Sequence, residues 1–225
     1  DQPRSRGLGD VYKRQIVSYD GYNLIVRPHE RIGRELAQKQ VHEIELRIVD
    51  GRTISAEQRR KIYAIIRDIA FWCGDNPEWI KEYFKFNFCG EFGIEYFSLS
   101  DCEKSVARDF ISYLIDFCFY QNIGTRDTLL NVTDDIGRYL YSCLENRKCA
   151  ICNAPGEVHH VDRIGMGRDR EQIVHIGLKA ICLCRKHHDE AHRHEKELFD
   201  KYKIYGIELD EYLCTKLKLN TKRKR

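Results

Sequence analysis

Residues 149–192 are much richer in cysteine and histidine than the rest of the chain. They begin with C-A-I-C-N-A-P-G-E-V-H-H-V-D and end with I-C-L-C-R-K-H-H-D-E-A-H. Seven of the nine histidines and five of the ten cysteines lie from Cys149 onward. Because thiolate and imidazole are the ligands that transition metals prefer, this density predicts metal binding rather than simple packing.

Two pairs of residues in this stretch have the spacing of a structural zinc site. Cys149 and Cys152 are separated by two residues, and Cys184 and His187 repeat that spacing. Two such pairs brought together form a tetrahedral Cys3His site. Cys182 is the rival of Cys184 for one position, and we prefer Cys184 because it has a partner at the two-residue spacing. Buried apolar cysteines with surface histidines are the alternative without a metal.

Further histidines are spaced for a second site. His188 and His192 lie four residues apart in a segment with helical character, which places both imidazoles on one helical face. His159 and His160 lie in the β-type run V-H-H-V, so their side chains point to opposite sides of a strand. One of them can face a metal while its neighbour faces a substrate. His175 lies between the two groups.

This order of histidines, framed by the cysteine pairs, resembles the motif of HNH endonucleases, which fold as a ββα-metal finger. The resemblance covers roughly the last third of the chain. It implies that His159, His188 and His192 bind the catalytic metal and that His160 is the general base. The position that usually carries asparagine in the family is best filled here by His175. This departure affects how the base is held in place.

The segment G-M-G-R-D-R between the histidine groups resembles phage-encoded HNH nucleases in particular. Arg163, Arg168 and Arg170 flank the expected site and are candidates for contacts with DNA phosphates. The cofactors expected are a structural Zn²⁺ and one catalytic divalent metal, Mn²⁺, Mg²⁺, Ni²⁺ or Zn²⁺. Ligation by imidazole alone favours transition metals over Mg²⁺, which prefers oxygen ligands.

Composition favours a reducing compartment, taken here as the cytoplasm of a bacterial host cell. The 225 residues are 42% hydrophobic and 32% charged, and no run approaches the ~18 apolar residues of a membrane span. Without a secretory segment, closely spaced cysteines indicate metal ligation rather than disulfides. The net charge is +6 from residue 146 onward and −3 before it. A basic half suits DNA, but an ordinary solvated surface explains these charges equally well.

Residues 1–15 have neither a period nor an apolar face and are excluded from the fold prediction. Met166 is the single methionine, so this segment is interpreted as a non-native or disordered arm. From Ile16 the pattern changes. Two apolar runs around Asp20-Gly21 predict a β-hairpin, and the alternating run at 41–49 predicts a half-buried strand.

A series of helices follows. Ser55 opens the first with the capping box S-A-E-Q, and Asn76-Pro77 opens the second. The aromatic stretch 86–97, which contains two glycines, is predicted as a loop or short strand. Ser100 opens a third helix with S-D-C-E, and a fourth is expected at about residues 133–146.

Residues 16–145 resemble the NinB/Orf-type recombination proteins of phages, which bind single-stranded DNA. The resemblance rests on the order of hairpin, strand and capped helix and on the segment R-T-I-S-A-E-Q-R-R-K-I-Y-A-I-I-R-D-I-A. An α+β scaffold that only docks the nuclease explains the pattern equally well. Arg59, Arg60 and Lys61 are candidates for phosphate contacts, but a solvated helix face accounts for them as well.

These observations predict an α+β fold: a small antiparallel sheet with a helical bundle, followed by a zinc-stabilised ββα-metal finger. The domains expected are an arm at 1–15, an α+β domain at 16–145, a nuclease domain at 146–219 and a basic tail at 220–225.

The function predicted is hydrolysis of DNA phosphodiester bonds by a metal-dependent, phage-encoded endonuclease acting in recombination or DNA processing. The partners expected are DNA and either a second copy of the chain or phage recombination proteins, and not a membrane. The alternative is a zinc-stabilised DNA-binding accessory protein without catalysis. His175 in place of asparagine favours that alternative, whereas His160 together with the pair His188 and His192 favours the enzyme.

Overall fold

The computed structural model describes residues 15–27, 52–162 and 174–221, which form an α+β structure. In chain order the described elements are β1 (Gln15–Tyr19), β2 (Leu24–Arg27), α1 (Ala56–Cys73), α2 (Pro77–Phe92), α3 (Lys104–Tyr120), α4 (Leu129–Val132), α5 (Ile136–Glu145), β3 (Glu157–His160), β4 (Lys179–Leu183), α6 (Arg185–Tyr202), β5 (Ile207–Glu208) and α7 (Glu211–Leu217). The expected strand at 41–49 lies outside these ranges, as do residues 1–14 of the arm and 222–225 of the basic tail. None of the helices described has the length and apolar character needed to cross a membrane.

The hairpin expected around Asp20-Gly21 is confirmed. β1 and β2 pair antiparallel, with Tyr19 opposite Leu24. The Asp20 carboxylate accepts hydrogen bonds from the backbone N–H groups of the turn, and Gly21 has a φ of 98°. Glycine adopts such a left-handed conformation at little cost, which is why this dipeptide fixes the turn.

The first two helices begin where their capping signals predict. The Ser55 side chain accepts a hydrogen bond from the Gln58 backbone, and the Gln58 side chain accepts one from the Ser55 backbone, which completes the capping box. Asn76 caps α2, and Pro77 occupies its first turn. Both signals act within four residues, so the sequence contains all the information that places them.

The prediction of a loop or short strand at 86–97 is wrong for residues 86–92, because α2 continues to Phe92. It passes through Gly90 and ends at Gly93, which has a left-handed φ of 62°. Phe88 is buried on this turn, with its ring centroid 5.2 Å from that of Phe110 in α3. Burial of a large aromatic ring outweighs the cost of about 1 kcal/mol for a glycine inside a helix.

The capping box expected at Ser100 does not form. α3 begins at Lys104, its N-cap is Glu103, and no side chain in the described part of the chain caps it. Thr53 and Glu103 instead form an antiparallel bridge. Backbone pairing with a segment far away in the sequence keeps the chain extended where the local motif favours a helical turn. The expected fourth helix is present as α5, with a later start at residue 136.

Buried hydrophobic residues form one cluster through the described structure. It joins Ile66 of α1 and Phe110 of α3 to Leu140 of α5, Ile181 of β4 and Leu213 of α7. The division into 16–145 and 146–219 stays a prediction, and residues on both sides of it contribute to this shared core.

The C-terminal sheet positions the histidines. β3 and β4 pair antiparallel, with His159 opposite Ile181 and His160 opposite Ala180. The short strand β5 joins the other side of β4. Cys184 is the single residue between β4 and α6, and α6 packs against both β3 and β4. The strand β3 and the helix α6, which carry these histidines, are therefore held next to each other.

Candidate metal centres

The first candidate metal centre, called the cysteine centre below, lies where β4 meets α6. The ligand atoms of Cys149, Cys152, Cys184 and His187 all lie within 4.8 Å of one another. Nδ1 of His187 is 3.3 Å from Sγ of both Cys149 and Cys184, and the Sγ atoms of Cys152 and Cys184 are 3.7 Å apart. A tetrahedron with Zn–S bonds of about 2.3 Å has edges of about 3.8 Å, so these residues fit a zinc ion.

The thiols of the cysteine centre differ in how readily they ionise. Burial raises the pKa of Cys149 to about 12. Burial also acts to raise the pKa of Cys184, but hydrogen bonds from the His187 backbone and from the thiols of Cys152 and Cys149 lower it overall. Because thiolate is the form that binds metal, occupancy of this centre by Zn²⁺ would release protons.

Cys182, the rival ligand, lies outside the cysteine centre. It is fully buried in β4 opposite Val158, and burial raises its pKa to about 12. Cys184, the preferred candidate, lies in the cysteine centre; it follows β4 and occupies the N-cap position of α6, without a side-chain capping hydrogen bond. Cys182 belongs to the hydrophobic core.

The second candidate metal centre, called the histidine centre below, lies between β3 and α6. The ligand atoms of His159, His188 and His192 lie within 4.8 Å of one another. The ring centroids are 4.9 Å apart for His159 and His188, 5.0 Å for His159 and His192, and 4.6 Å for the helical pair. β3 turns His159 inward, where it is 3% exposed, and the four-residue spacing on α6 brings the other two rings alongside it.

Two nitrogens of the histidine centre are buried with no hydrogen-bond partner among the residues that the structure describes. They are Nδ1 of His159 and Nδ1 of His188. A buried polar atom without a partner costs about 1–3 kcal/mol. Burial also lowers the pKa of His188, which favours the neutral ring that a metal requires. These unpaired nitrogens fit coordination to a divalent metal, and the exposed ring of His192 leaves the centre open to solvent.

His160 forms a separate pair with His175. Nε2 of His160 lies 2.9 Å from Nδ1 of His175, and the backbone N–H of His175 donates to the carbonyl of Asn220. Burial, together with the neighbouring rings of His175 and His159, lowers the pKa of His160 to about 4. The His160 ring is therefore neutral near pH 7, and one of its nitrogens is held by a second imidazole.

Sequence reasoning missed Glu195. Its Oε2 lies 2.9 Å from Nε2 of His159, although Glu195 follows that histidine by 36 residues. A signal was present, because His188, His192 and Glu195 stand at i, i+4 and i+7, a spacing that would place them on one face of an uninterrupted helix. α6 departs from helical geometry at the residue before Glu195, where φ is −144° and ψ is 48°.

The arginines expected to contact DNA, Arg163, Arg168 and Arg170, lie outside the described residues, so their role stays a prediction. Every histidine and cysteine expected in a site is described. The structure brings four of these residues together in the cysteine centre, three in the histidine centre and two in the His160–His175 pair.

Comparison with known proteins identifies a family for this chain. Residues 26–220 match the model of a family described as Putative HNHc nuclease. Searches of curated proteins and of solved structures gave no significant match. The matched range includes helices α1 to α5 as well as both metal centres, so the family extends well beyond the histidine-rich segment.

Proposed function

The chain belongs to this family of HNHc nucleases, and on that premise we propose that it is a metal-dependent endonuclease that hydrolyses phosphodiester bonds of DNA. The observation that carries the proposal is the histidine centre, in which three imidazoles from one strand and one helix converge within 4.8 Å. Three protein ligands are typical of a catalytic site, because they leave a fourth coordination position for water or substrate.

β3, β4 and α6 are the proposed ββα-metal finger. His159 on the first strand and His188 and His192 on the helix would hold the catalytic metal. A divalent metal bound there would stabilise the negative charge that develops on the scissile phosphate and on the leaving 3′ oxygen. The all-imidazole donor set suits Mn²⁺, Ni²⁺ or Zn²⁺ better than Mg²⁺.

His160 is the proposed general base. Its neutral ring takes a proton from water as the water oxygen attacks phosphorus. The bond from phosphorus to the 3′ oxygen breaks, and that oxygen gains a proton from solvent, which leaves a 5′-phosphate and a 3′-hydroxyl. His175 holds the His160 ring through the hydrogen bond at Nε2, the task that asparagine performs in the resembling HNH enzymes.

The cysteine centre is the proposed structural zinc site. Four protein ligands close it, and two of them, Cys184 and His187, belong to the beginning of α6. His187 directly precedes His188. Zinc would therefore fix the turn of helix that carries the first catalytic ligand of α6, which links folding of this region to assembly of the histidine centre.

The biological setting is proposed from resemblance. The likeness of residues 16–145 to NinB/Orf-type proteins supports action in phage DNA recombination inside a bacterial cytoplasm. Arg163, Arg168, Arg170 and the basic tail are the proposed phosphate contacts. Comparing cleavage of linear, nicked, single-stranded and branched DNA tests this setting. A preference for single-stranded or branched DNA supports a recombination role, and equal cleavage of all forms contradicts it.

The decisive experiment for the activity uses the His160→Ala variant of the full chain. Wild-type protein should nick plasmid in the presence of Mn²⁺ and stop when a chelator is added. The variant should lose about 10²- to 10⁴-fold in rate, because it lacks the base, while zinc content and DNA binding persist. Lys196→Ala is the control, because Lys196 is an exposed residue of the same helix.

Two outcomes of this experiment would contradict the proposal. A His160→Ala variant that cleaves as fast as wild type would remove His160 from the mechanism. A folded wild-type protein that binds DNA but cleaves no DNA form with any divalent metal would point to a zinc-stabilised binding module without catalysis.

A further inference from the structure

Glu195 extends the histidine centre beyond its three ligands. Its Oε2 lies 2.9 Å from Nε2 of His159, a ring that is 3% exposed, whereas the carboxylate itself is 38% exposed. Glu195 does not belong to the group whose ligand atoms lie within 4.8 Å of one another. The geometry therefore makes Glu195 a partner of His159 and not a fourth ligand.

The two nitrogens of His159 have different surroundings. Nε2 faces the Glu195 carboxylate, whereas Nδ1 is buried with no hydrogen-bond partner in the described part of the chain. A neutral imidazole carries one proton, and its other nitrogen offers a lone pair. An ionised carboxylate can only accept a hydrogen bond, so it favours the tautomer with the proton on Nε2. That tautomer leaves the lone pair of His159 on Nδ1.

We propose that Glu195 is a positioning residue for metal binding, because it holds His159 in the Nε2–H tautomer and directs Nδ1 toward His188 and His192. A carboxylate on the far nitrogen of a metal-binding histidine also raises the basicity of that ligand. The inference rests on the proposed function, since it assumes that a metal binds the histidine centre. It does not require that the bound metal cleaves DNA.

The position of Glu195 on α6 supports this role. It follows His192 by three residues within α6, so one element supplies two of the proposed ligands and the support for the third. The break in helical geometry at His194 lies between His192 and Glu195. The supporting carboxylate and the helical ligands thus belong to different helical segments, which allows the carboxylate to meet the ring on β3 while the ligands keep their own spacing.

Metal affinity tests the inference directly. The probe is Co²⁺ added to the zinc-loaded full chain, followed by its visible spectrum and by competition with a chelating dye. His192→Ala identifies the signal of the histidine centre by removing it. Glu195→Gln keeps the shape of the side chain but removes its charge, and we expect the dissociation constant for Co²⁺ to rise about 10- to 100-fold.

The matched control is Glu197→Gln, which removes the same charge from the same helix. Glu197 pairs with the exposed His194 and has no contact with His159 in the described structure, so Co²⁺ binding should stay at the wild-type level. Equal affinity of wild type and Glu195→Gln would overturn the inference. An equal loss in both glutamine variants would also overturn it, because it would show a general charge effect rather than a hydrogen bond to His159.

The tautomer of His159 provides a second readout, and its main measurement is made on the wild-type protein. Long-range ¹H–¹⁵N spectra of wild type, with zinc in the cysteine centre and no metal added to the histidine centre, should show His159 protonated on Nε2. Glu195→Gln should shift His159 toward a mixture of tautomers. Protonation on Nδ1 in the wild type would overturn the inference. Weakened Co²⁺ binding in Glu195→Gln, in a protein that never cleaves DNA, would support the inference and refute the nuclease proposal. Unchanged Co²⁺ binding in Glu195→Gln, in a protein that cleaves DNA, would refute the inference but not the nuclease proposal.

Discussion

Both candidate metal centres include residues at or in α6, but they differ in their number of candidate ligands, and this difference predicts different functions. The cysteine centre has four candidate ligands, two from the Cys149–Cys152 segment and two from the start of the helix. The histidine centre has three candidate ligands in the described structure, His159, His188 and His192. A closed tetrahedral set holds its ion permanently, whereas an open set leaves room for water or substrate. The number of candidate ligands distinguishes the two centres, whereas exposure does not, because each has one exposed member, Cys152 or His192.

A single peptide bond separates the centres. His187 belongs to the cysteine centre and His188 to the histidine centre. Consecutive residues of a helix point about 100° apart, so neighbouring imidazoles reach different surroundings. Variants of residues in each centre therefore test whether the cysteine centre stabilises the fold and whether the histidine centre carries out the reaction.

The largest effect is expected from Cys149→Ser. Cys149 is fully buried, and a structural zinc ion contributes folding free energy on the order of 10 kcal/mol in small fingers. We expect the variant to lose zinc and to unfold the region from residue 146 onward, as measured by zinc content and circular dichroism. Cys182→Ala is the control, because Cys182 is equally buried but outside the centre. It should keep its zinc and lose about 1 kcal/mol of stability. A soluble, zinc-free and fully active Cys149→Ser protein would contradict the structural role proposed for the cysteine centre.

The next effect is expected from His192→Ala, which should stop cleavage without unfolding the protein. Two protein ligands remain, so metal affinity falls, while truncation of an exposed side chain changes stability by only about 0.5 kcal/mol. Cleavage rate against Mn²⁺ concentration measures the loss, and excess Mn²⁺ should restore part of the rate. Release of zinc from this variant would show that the two centres are not separate.

His175→Ala should have a smaller effect than His192→Ala. His175 contacts His160 and is not a member of the histidine centre, so the rate should fall about 10- to 100-fold with unchanged metal affinity. His175→Asn, which installs the residue usual in the family, should recover most of the rate. A dead His175→Ala protein beside an active His192→Ala protein would show that the metal has been assigned to the wrong histidines.

The smallest effect is expected from Asn153→Ala, which tests how the cysteine centre is tied to the helices. Asn153 has a φ of 59°; its side chain accepts a hydrogen bond from the Leu129 backbone at 2.7 Å and donates one to the Tyr139 hydroxyl at 2.7 Å. Loss of these bonds and of a residue that tolerates left-handed backbone should lower the free energy of unfolding by about 1–3 kcal/mol in urea. Asn153→Gly keeps the backbone freedom and should lose less. Cleavage should be unchanged in both variants. An unchanged free energy of unfolding in Asn153→Ala would show that these two hydrogen bonds do not stabilise the protein.

The sequence was sufficient wherever a few adjacent residues determine the structure. The capping box at Ser55, the start of α2 at Asn76-Pro77 and the turn at Asp20-Gly21 are all confirmed. It was insufficient where distant segments compete with local signals. The bridge between Thr53 and Glu103 replaces a capping box.

The same division applies to the candidate site. The spacing of the cysteines and histidines indicates which residues converge, because ligand spacing on a strand or helix is local. The spacing of Glu195 from His188 and His192 is visible in the sequence, but its contact with His159 depends on how α6 packs on β3, which no local pattern contains. β5 was missed for a related reason, because two residues are too few to show an alternating pattern.

The consecutive placing of His187 and His188 limits how this segment can change in length during evolution. One residue inserted between Cys184 and His187 would turn every later residue of α6 by about 100° and advance it by about 1.5 Å. His187 would leave its cysteine partners, and in the same event His188 and His192 would leave His159. Substitutions at the exposed positions Arg185 and Lys186 carry no such penalty. The segment from Cys184 to His192 can therefore change in composition at exposed positions such as Arg185 and Lys186, but not in its number of residues.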